Sequence, residues 1–301
     1  MRVYFLGVGG GIPSIDRALP AITIVHKKHV LLFDCGEGTQ LQLQQVKLSP
    51  QKITQIFISH LHGDHVLGLP GLLSTMAMQK RANPLSVFGP TGIKEFIETS
   101  LNLTQAQIKF GLNVREVEKG IITRHEEFKV ECLPAKHIVP TLTFVIRMAD
   151  IPGRFHPAKA DKLGVFPHSL RKELVKGQVV ITPEGRRVTP AEVMGPSRPG
   201  AIIVYTGDTA PNPDLATYVK KVDLLIHDAT FAEMHKDKAA EFLHSTAQQA
   251  AQTAVQIEAK QLALVHISPR YASSEIHLKE ATQVFPNTFA PKDLEILNLR
   301  K

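Results

Sequence analysis

The chain has 301 residues, of which 43% are hydrophobic and 21% charged. Those are ordinary globular proportions, which exclude a disordered, collagenous or coiled-coil chain and allow one large domain or two. The formal charge of +7 favours a polyanionic partner, and two cysteines, Cys35 and Cys132, are too few for a disulfide framework and suit a reducing compartment or indifference to redox.

The apolar opening at 3–15 carries Gly7, Gly9, Gly10, Gly11 and Pro13, so it reads as a strand and turn, not a signal peptide. Residues 2–6, 21–25, 30–33 and 55–59 read as strands from their β-branched and aromatic content. Residues 69–79 and 91–101 read as helices, the second opened by Thr91 and Gly92 as cap positions. The longest uncharged helical stretch, 65–79, is too short to cross a bilayer and contains Pro70, so no membrane association and a cytoplasmic location are expected. Strand signals return at 143–146, 202–205, 224–227 and 262–265, with an alanine- and glutamine-rich helix at 245–258 opened by hydroxyl residues. Strands and helices alternating over two similar halves predict an α/β fold whose sheets are covered by helices.

One segment breaks this pattern. Residues 151–200 hold seven prolines, nine Lys or Arg and four Asp or Glu, most of the chain's excess positive charge. They read as an insertion in an otherwise single domain spanning 1–301, either a solvated surface piece or a basic arm that grips an anion. The adjacent pairs Arg171–Lys172 and Arg186–Arg187 are its candidate phosphate contacts.

Chemistry concentrates after the strand at 55–59, in His60-Leu61-His62-Gly63-Asp64-His65. In an extended loop His60 and His62 face the same way, because side chains alternate with period two. Asp64 and His65 begin the next turn and can face a neighbouring position. Four ligand-type side chains in six residues suit two adjacent metal ions better than one. Further ligands stand at similar places: His137 in LPAKHIVP, Asp208 after AIIVYTG and His266 after LALV. All are nitrogen or oxygen donors, a set that suits zinc and leaves manganese or iron open.

With these residues the sequence resembles the metallo-β-lactamase superfamily, and within it the ribonuclease Z family, endonucleases that trim the 3′ trailer of precursor tRNA. The broader likeness rests on His60-x-His62-x-Asp64-His65 with His137, Asp208 and His266. The narrower one rests on FLGVGGGIPS, FDCGEGTQ, GLPGLLSTM, FGPTGIKEFIETSL, TGDT, DATF, HSTAQQAA and HISPRY, which span nearly the whole chain outside 151–200. The resemblance implies a four-layer αβ/βα sandwich with two zinc ions per subunit. It assigns His60, His62 and His137 to one ion, Asp64, His65 and His266 to the other, and Asp208 to both. It also implies a homodimer in which one subunit's arm holds the tRNA bound at the other's site. Two departures stand out. The family motif commonly reads His-Glu-Ala-Thr-Phe, whereas here Asp228 follows His227, one methylene shorter, and the insertion lacks a Gly-Pro-rich tip.

Phosphodiester hydrolysis suits such a site on physical grounds. Two ions about 3.5–4 Å apart can activate water near neutral pH and neutralise charge on both the attacking and the leaving oxygen. By resemblance Asp64 orients or deprotonates the water, His244 protonates the leaving oxygen, and Asp228 orients His244. A helix-capping role is the plainer reading of His244. Asp34, in FDCGEGTQ, is by resemblance a carboxylate that hydrogen-bonds metal-bound histidines, and Arg270 and Tyr271 are candidates for holding a phosphate or nucleotide. The competing readings are another hydrolase of this fold acting on a small substrate, which has no use for a basic insertion, and a non-catalytic RNA-binding protein, which has no need of the full ligand set.

Overall fold

The computed structural model describes residues 1–299. Among them the backbone divides into two units. The larger comprises Met1–His125, Lys129–Ile146 and the chain from Ile202 onward, and the smaller comprises Glu126–Phe128 with Arg147–Ala201.

The larger unit holds two seven-stranded sheets. The first contains β1 (Arg2–Gly7), β2 (Ala21–His26), β3 (His29–Phe33), β4 (Gln55–Phe57), β5 (Leu85–Gly89) and β6 (Leu112–Glu116) in spatial sequence, with β16 (Glu295–Asn298) outside β1. The second runs β15 (Thr288–Phe289), β14 (Leu262–Val265), β13 (Leu224–Asp228), β12 (Ile202–Tyr205), β9 (Leu142–Met148), β8 (Phe128–Pro134), β7 (Gly120–Arg124). In each sheet consecutive strands pair in parallel where the site residues emerge: β3, β4 and β5 in one, β12, β13 and β14 in the other.

Alternation sorts the side chains into layers. Tyr4, Leu6, Leu32, Ile56 and Val87 pack with Leu43 of α1 (Thr39–Gln45), Leu69, Leu72, Leu73 and Met76 of α3 (Gly68–Met78), and Ile93 and Ile97 of α4 (Ile93–Leu103). Their neighbours Phe5, Phe33 and Phe57 point the other way, as a period of two requires. Phe33 and Phe57 stack at 4.9 Å and meet Phe144 of β9 at 5.7 and 5.6 Å, so the two sheets share an aromatic core. Each such ring contributes about 1.5–3 kcal/mol by burial. Outside the second sheet lie Leu215 of α8 (Pro213–Tyr218), Ala247, Ala250, Ala251 and Ala254 of α9 (Ala247–Gln256), and Ala281 of α10 (Glu275–Val284). The order helix, sheet, sheet, helix is the predicted four-layer αβ/βα sandwich.

Several boundaries differ from the sequence reading. The strand expected over 55–59 leaves its ladder after Phe57, because the Asp34 carboxylate accepts the Ser59 backbone N–H at 2.6 Å. A short turn of helix, α2 (Gly63–Val66), precedes α3, and Pro70 falls in the first turn of α3, where a missing N–H costs nothing. Helix α4 starts after Gly92, whose φ of 96° favours glycine, and the Glu116 carboxylate, not Thr91, accepts the N–H of Gly92. Of the strands in the two sheets, β5, β6, β7, β8, β15 and β16 fall outside the ranges read from the sequence. Of these, β6, β7 and β16 carry exposed polar positions and lie at or beside sheet edges, so hydrophobic alternation does not announce them.

The smaller unit contains α5 (Pro157–Lys162), α6 (His168–Val175), the hairpin β10 (Val180–Ile181) and β11 (Arg187–Val188), and α7 (Pro190–Val193). It buries its own cluster of Ala160, Val165, Leu174, Val180, Val188 and Val193. The basic segment is therefore a packed module. Cys35 and Cys132 are free and buried, and burial pushes both thiols up to about 12, which leaves them inert. No helix among the described residues is long and apolar enough to cross a membrane.

Candidate metal centre

The C-terminal ends of six strands of the larger unit deliver the polar residues. Asp34 follows β3, His60 comes three residues after β4, His137 follows β8, Asp208 follows β12, Asp228 ends β13 and His266 follows β14. His62 sits in extended backbone as the residue before α2, which places Asp64 and His65 in the first turn of that helix. Two residues of the set, Asp34 (φ 55°) and His266 (φ 61°), hold left-handed backbone conformations, uncommon for residues with a Cβ and concentrated at functional sites.

His60, His62, His137 and Asp208 form one group. His62 Nδ1 lies 3.1 Å from His60 Nε2 and 3.3 Å from His137 Nε2, while Asp208 Oδ2 lies 3.5 and 3.9 Å from those two Nε2 atoms. Donors about 2.0–2.1 Å from a tetrahedral zinc stand roughly 3.4 Å apart, so the edges of this group match such an ion. Asp64, His65 and His266 form a second group. Asp64 Oδ2 is 3.5 Å from His65 Nε2 and 3.2 Å from His266 Nε2. Asp208 reaches this group as well, with Oδ1 3.3 Å from His65 Nε2 and Oδ2 3.3 Å from His266 Nε2.

The donors fit cations on a further count. His65 Nε2 and Asp208 Oδ1 are buried without a hydrogen-bond partner, an arrangement that a metal ion between them resolves. Burial lowers the pKa of His60, His62 and His137, which keeps their rings neutral and their lone pairs available. Burial works against ionising Asp64 and Asp208, but the surrounding histidines hold both carboxyls below the usual carboxylate range. Burial also opposes charge on His65, yet Asp208 and Asp34 raise its pKa well above the ordinary value. A proton on His65 and a cation at its Nε2 would answer the same carboxylates, so a cation held there would displace a proton. Gly10 lets the N-terminal loop close over the site: a Cβ would stand 2.4 Å from the His266 ring. The next residue, Gly11, donates its N–H to Asp64 Oδ2 at 2.7 Å.

Two buried carboxylates lie behind the groups. Asp34 accepts from His65 Nδ1 at 2.7 Å, Tyr205 Oη at 2.6 Å, and the hydroxyl and N–H of Ser59 at 2.8 and 2.6 Å. Asp228 accepts from His244 Nδ1 at 2.8 Å, the Thr209 N–H at 3.0 Å, and the N–H and hydroxyl of Thr230 at 2.8 and 2.6 Å. The shorter Asp228 side chain therefore does reach His244. The His244 ring stands 4.9 Å from that of His137 and stacks on that of His266 at 5.2 Å. Burial disfavours its charge, but Asp228 outweighs burial and raises its pKa to about 9. His244 does not cap the following helix, because Thr246 and Gln249 form the capping box.

The remaining sequence candidates divide by their contacts. Arg270 stacks over Phe231 at 4.9 Å, and the Phe231 ring is 6.0 Å from that of His244. Tyr271 Oη accepts the Ala232 N–H and pairs with His235 Nδ1, which makes it a packing residue. Arg171 is engaged inside its own unit, with Asp161 and with the Val165 carbonyl at 2.7 Å. Lys172, Arg186 and Arg187 are exposed. Sequence reasoning missed Ser59, Tyr205 and Thr230. Their only sequence signal is position, Ser59 beside His60 and Thr230 two residues after Asp228.

Two sheets flanked by helices, with clustered histidines and aspartates at their strand ends, define a metallo-β-lactamase-fold protein with a metal-dependent site. Family models agree: one described as "Anti-Pycsar protein Apyc1" matches residues 1–151, and one described as "Beta-lactamase superfamily domain" matches 168–267. The relatives that run the whole length are narrower. Ribonuclease Z of Bacillus licheniformis is 38% identical over 298 residues, 97% of each chain. Ribonuclease Z of Methanosarcina acetivorans is 39% identical over 300 residues, 99% of this chain and 98% of its own. The crystal structure of human tRNase Z, short form, superposes with a TM-score of 0.74 at 28% identity, covering 100% of both chains. The chain belongs to the ribonuclease Z family.

Proposed function

We propose that the chain is a zinc-dependent endoribonuclease that removes the 3′ trailer of precursor tRNA, acting as a cytoplasmic homodimer with two zinc ions per subunit. The observation that carries this reading is the joining of two ligand groups through Asp208 beside the His244–Asp228 couple. His60, His62 and His137 would hold one ion and Asp64, His65 and His266 the other, with Asp208 within reach of both groups. When bound, such a pair lowers the pKa of water and neutralises charge on the attacking and leaving oxygens. Asp64, ionised well below neutral pH, orients the attacking water. His244, protonated at neutral pH, gives its proton to the leaving oxygen, and Asp228 holds its Nδ1 so that the opposite nitrogen faces the substrate. Asp34 fixes His65 from behind. Arg270, braced on Phe231, meets a substrate phosphate, and the module containing residues 151–200 grips tRNA through Lys172, Arg186 and Arg187. Arg171 serves the module's own packing.

The test is cleavage of a precursor tRNA with the cut mapped and zinc counted. The expected result is a cut at the trailer junction with two zinc ions per chain. Turnover of bis(p-nitrophenyl) phosphate without any cut in precursor tRNA overturns the reading in favour of a hydrolase of small phosphodiesters.

A further inference from the structure

The carboxylates Asp34 and Asp228 use the same device. Each accepts directly from one histidine, His65 or His244. Each also accepts from a hydroxyl that stands between it and a second histidine. Ser59 Oγ is 2.8 Å from Asp34 Oδ2 and 3.0 Å from His60 Nδ1. Thr230 Oγ1 is 2.6 Å from Asp228 Oδ1 and 2.8 Å from His266 Nδ1.

A hydroxyl has one proton. A buried carboxylate is a stronger acceptor than a neutral imidazole nitrogen, so in both places the O–H is committed to the carboxylate. What the hydroxyl then shows the histidine is a lone pair, and the ring must answer with Nδ1–H. A neutral ring protonated at Nδ1 is bare at Nε2. That nitrogen is the one facing the ligand groups: His60 Nε2 lies 3.1 Å from His62 Nδ1, and His266 Nε2 lies 3.2 Å from Asp64 Oδ2.

We propose that Ser59 and Thr230 are positioning residues that relay the charge of Asp34 and Asp228 to His60 and His266 and hold both rings in the tautomer that can bind metal through Nε2. Thr230 gives Asp228 two tasks, since the same carboxylate orients His244 directly. This rests on the assignment of His60 and His266 as ligands. Loss of such a partner costs about 10–100-fold in metal affinity.

The test uses the full chain. Zinc affinity is measured by competition with a chromogenic chelator for wild type, Ser59→Ala, Thr230→Val, and the hydroxyl-retaining Ser59→Thr and Thr230→Ser. In parallel, ¹⁵N-histidine NMR of the zinc-loaded wild type reads which ring nitrogen carries the proton. Expected are Nδ1–H at both His60 and His266, a 10–100-fold loss of affinity for one ion in Ser59→Ala and in Thr230→Val, and recovery in the hydroxyl-retaining pair. Unchanged affinity in Ser59→Ala and Thr230→Val overturns the proposal, and so does an equal loss of affinity in the hydroxyl-retaining Ser59→Thr and Thr230→Ser, whereas Nε2–H on either ring of the zinc-loaded chain means that the ring does not bind zinc through Nε2 and counts against the ligand assignment. A wild type that binds no zinc defeats the ligand assignment instead, which keeps the two failures apart.

Discussion

The strand-end site and the basic module put charge to opposite uses. At the site Asp34, Asp208 and Asp228 are at most 2% exposed, and every charge has a fixed partner within hydrogen-bond or ligand distance. In the module the cations outnumber the acids nine to four over residues 151–200, and Lys172, Arg186 and Arg187 stand in solvent. Buried groups act through geometry, because low dielectric makes each contact strong and each error costly. Exposed ones act through a screened field that tolerates imprecise placement. Burial also sorts the cations themselves. Arg81, 6% exposed, spends its guanidinium on the carbonyls of Ile53, Asn83 and Pro84, as Arg171 does on Asp161 and Val165. Chemistry and grip should therefore come apart under mutation.

The largest expected effect is His65→Ala, which removes a proposed ligand lying between Asp208 and Asp34 and should reduce hydrolysis to background with the fold intact by circular dichroism. Turnover near wild type at normal metal content would break the two-ion assignment. Next is His244→Ala, expected to lower kcat by about 10²–10⁴ with metal content unchanged. In the proposed mechanism His244 acts in its protonated form, so the rate should be present below its pKa and lost as pH rises through about 9, and the two proposed cations would move that limb lower. An alkaline limb unaltered in Asp228→Asn would separate the limb from this couple.

The module comes third. Ile151 and Arg198 exchange both backbone hydrogen bonds, at 2.8 and 2.9 Å, so the chain ends at its base are adjacent and a short Gly-Ser linker can replace residues 151–200. Small phosphodiesters should still turn over at near wild-type rates. Affinity for precursor tRNA should fall, and its salt dependence should flatten by roughly one unit of slope per lost phosphate contact. Loss of small-substrate turnover as well would show that the module supports the fold. The smallest effect sharpens the comparison: Arg187→Ala should reduce the salt slope by about one, whereas Arg171→Ala should lower the melting temperature and leave the slope unchanged.

Legibility followed sequence distance. His60, His62, Asp64 and His65 could be read together because period-two alternation and one turn of helix bring them together within six residues. The helix at 245–258 could be read from its composition and its opening hydroxyls, of which Thr246 is the cap. The strands β6 and β7 could not, since LNVRE and GIITR expose most of their length and carry no clean alternation.

The ligand types, the α/β class and the charge of the insertion were determined by the sequence itself, because each depends on local composition, periodicity or spacing. Only the tertiary structure decided that Asp208 reaches both groups, that His62 presents Nδ1 while His60 and His137 present Nε2, and that Asp228 reaches His244 despite its shorter side chain. It alone joined Ser59 to Asp34 across 25 residues, Tyr205 to Asp34 across 171 and His266 to Asp64 across 202. Such contacts leave no periodic trace, since which atoms meet is set by sheet register and packing, to within a few tenths of an ångström.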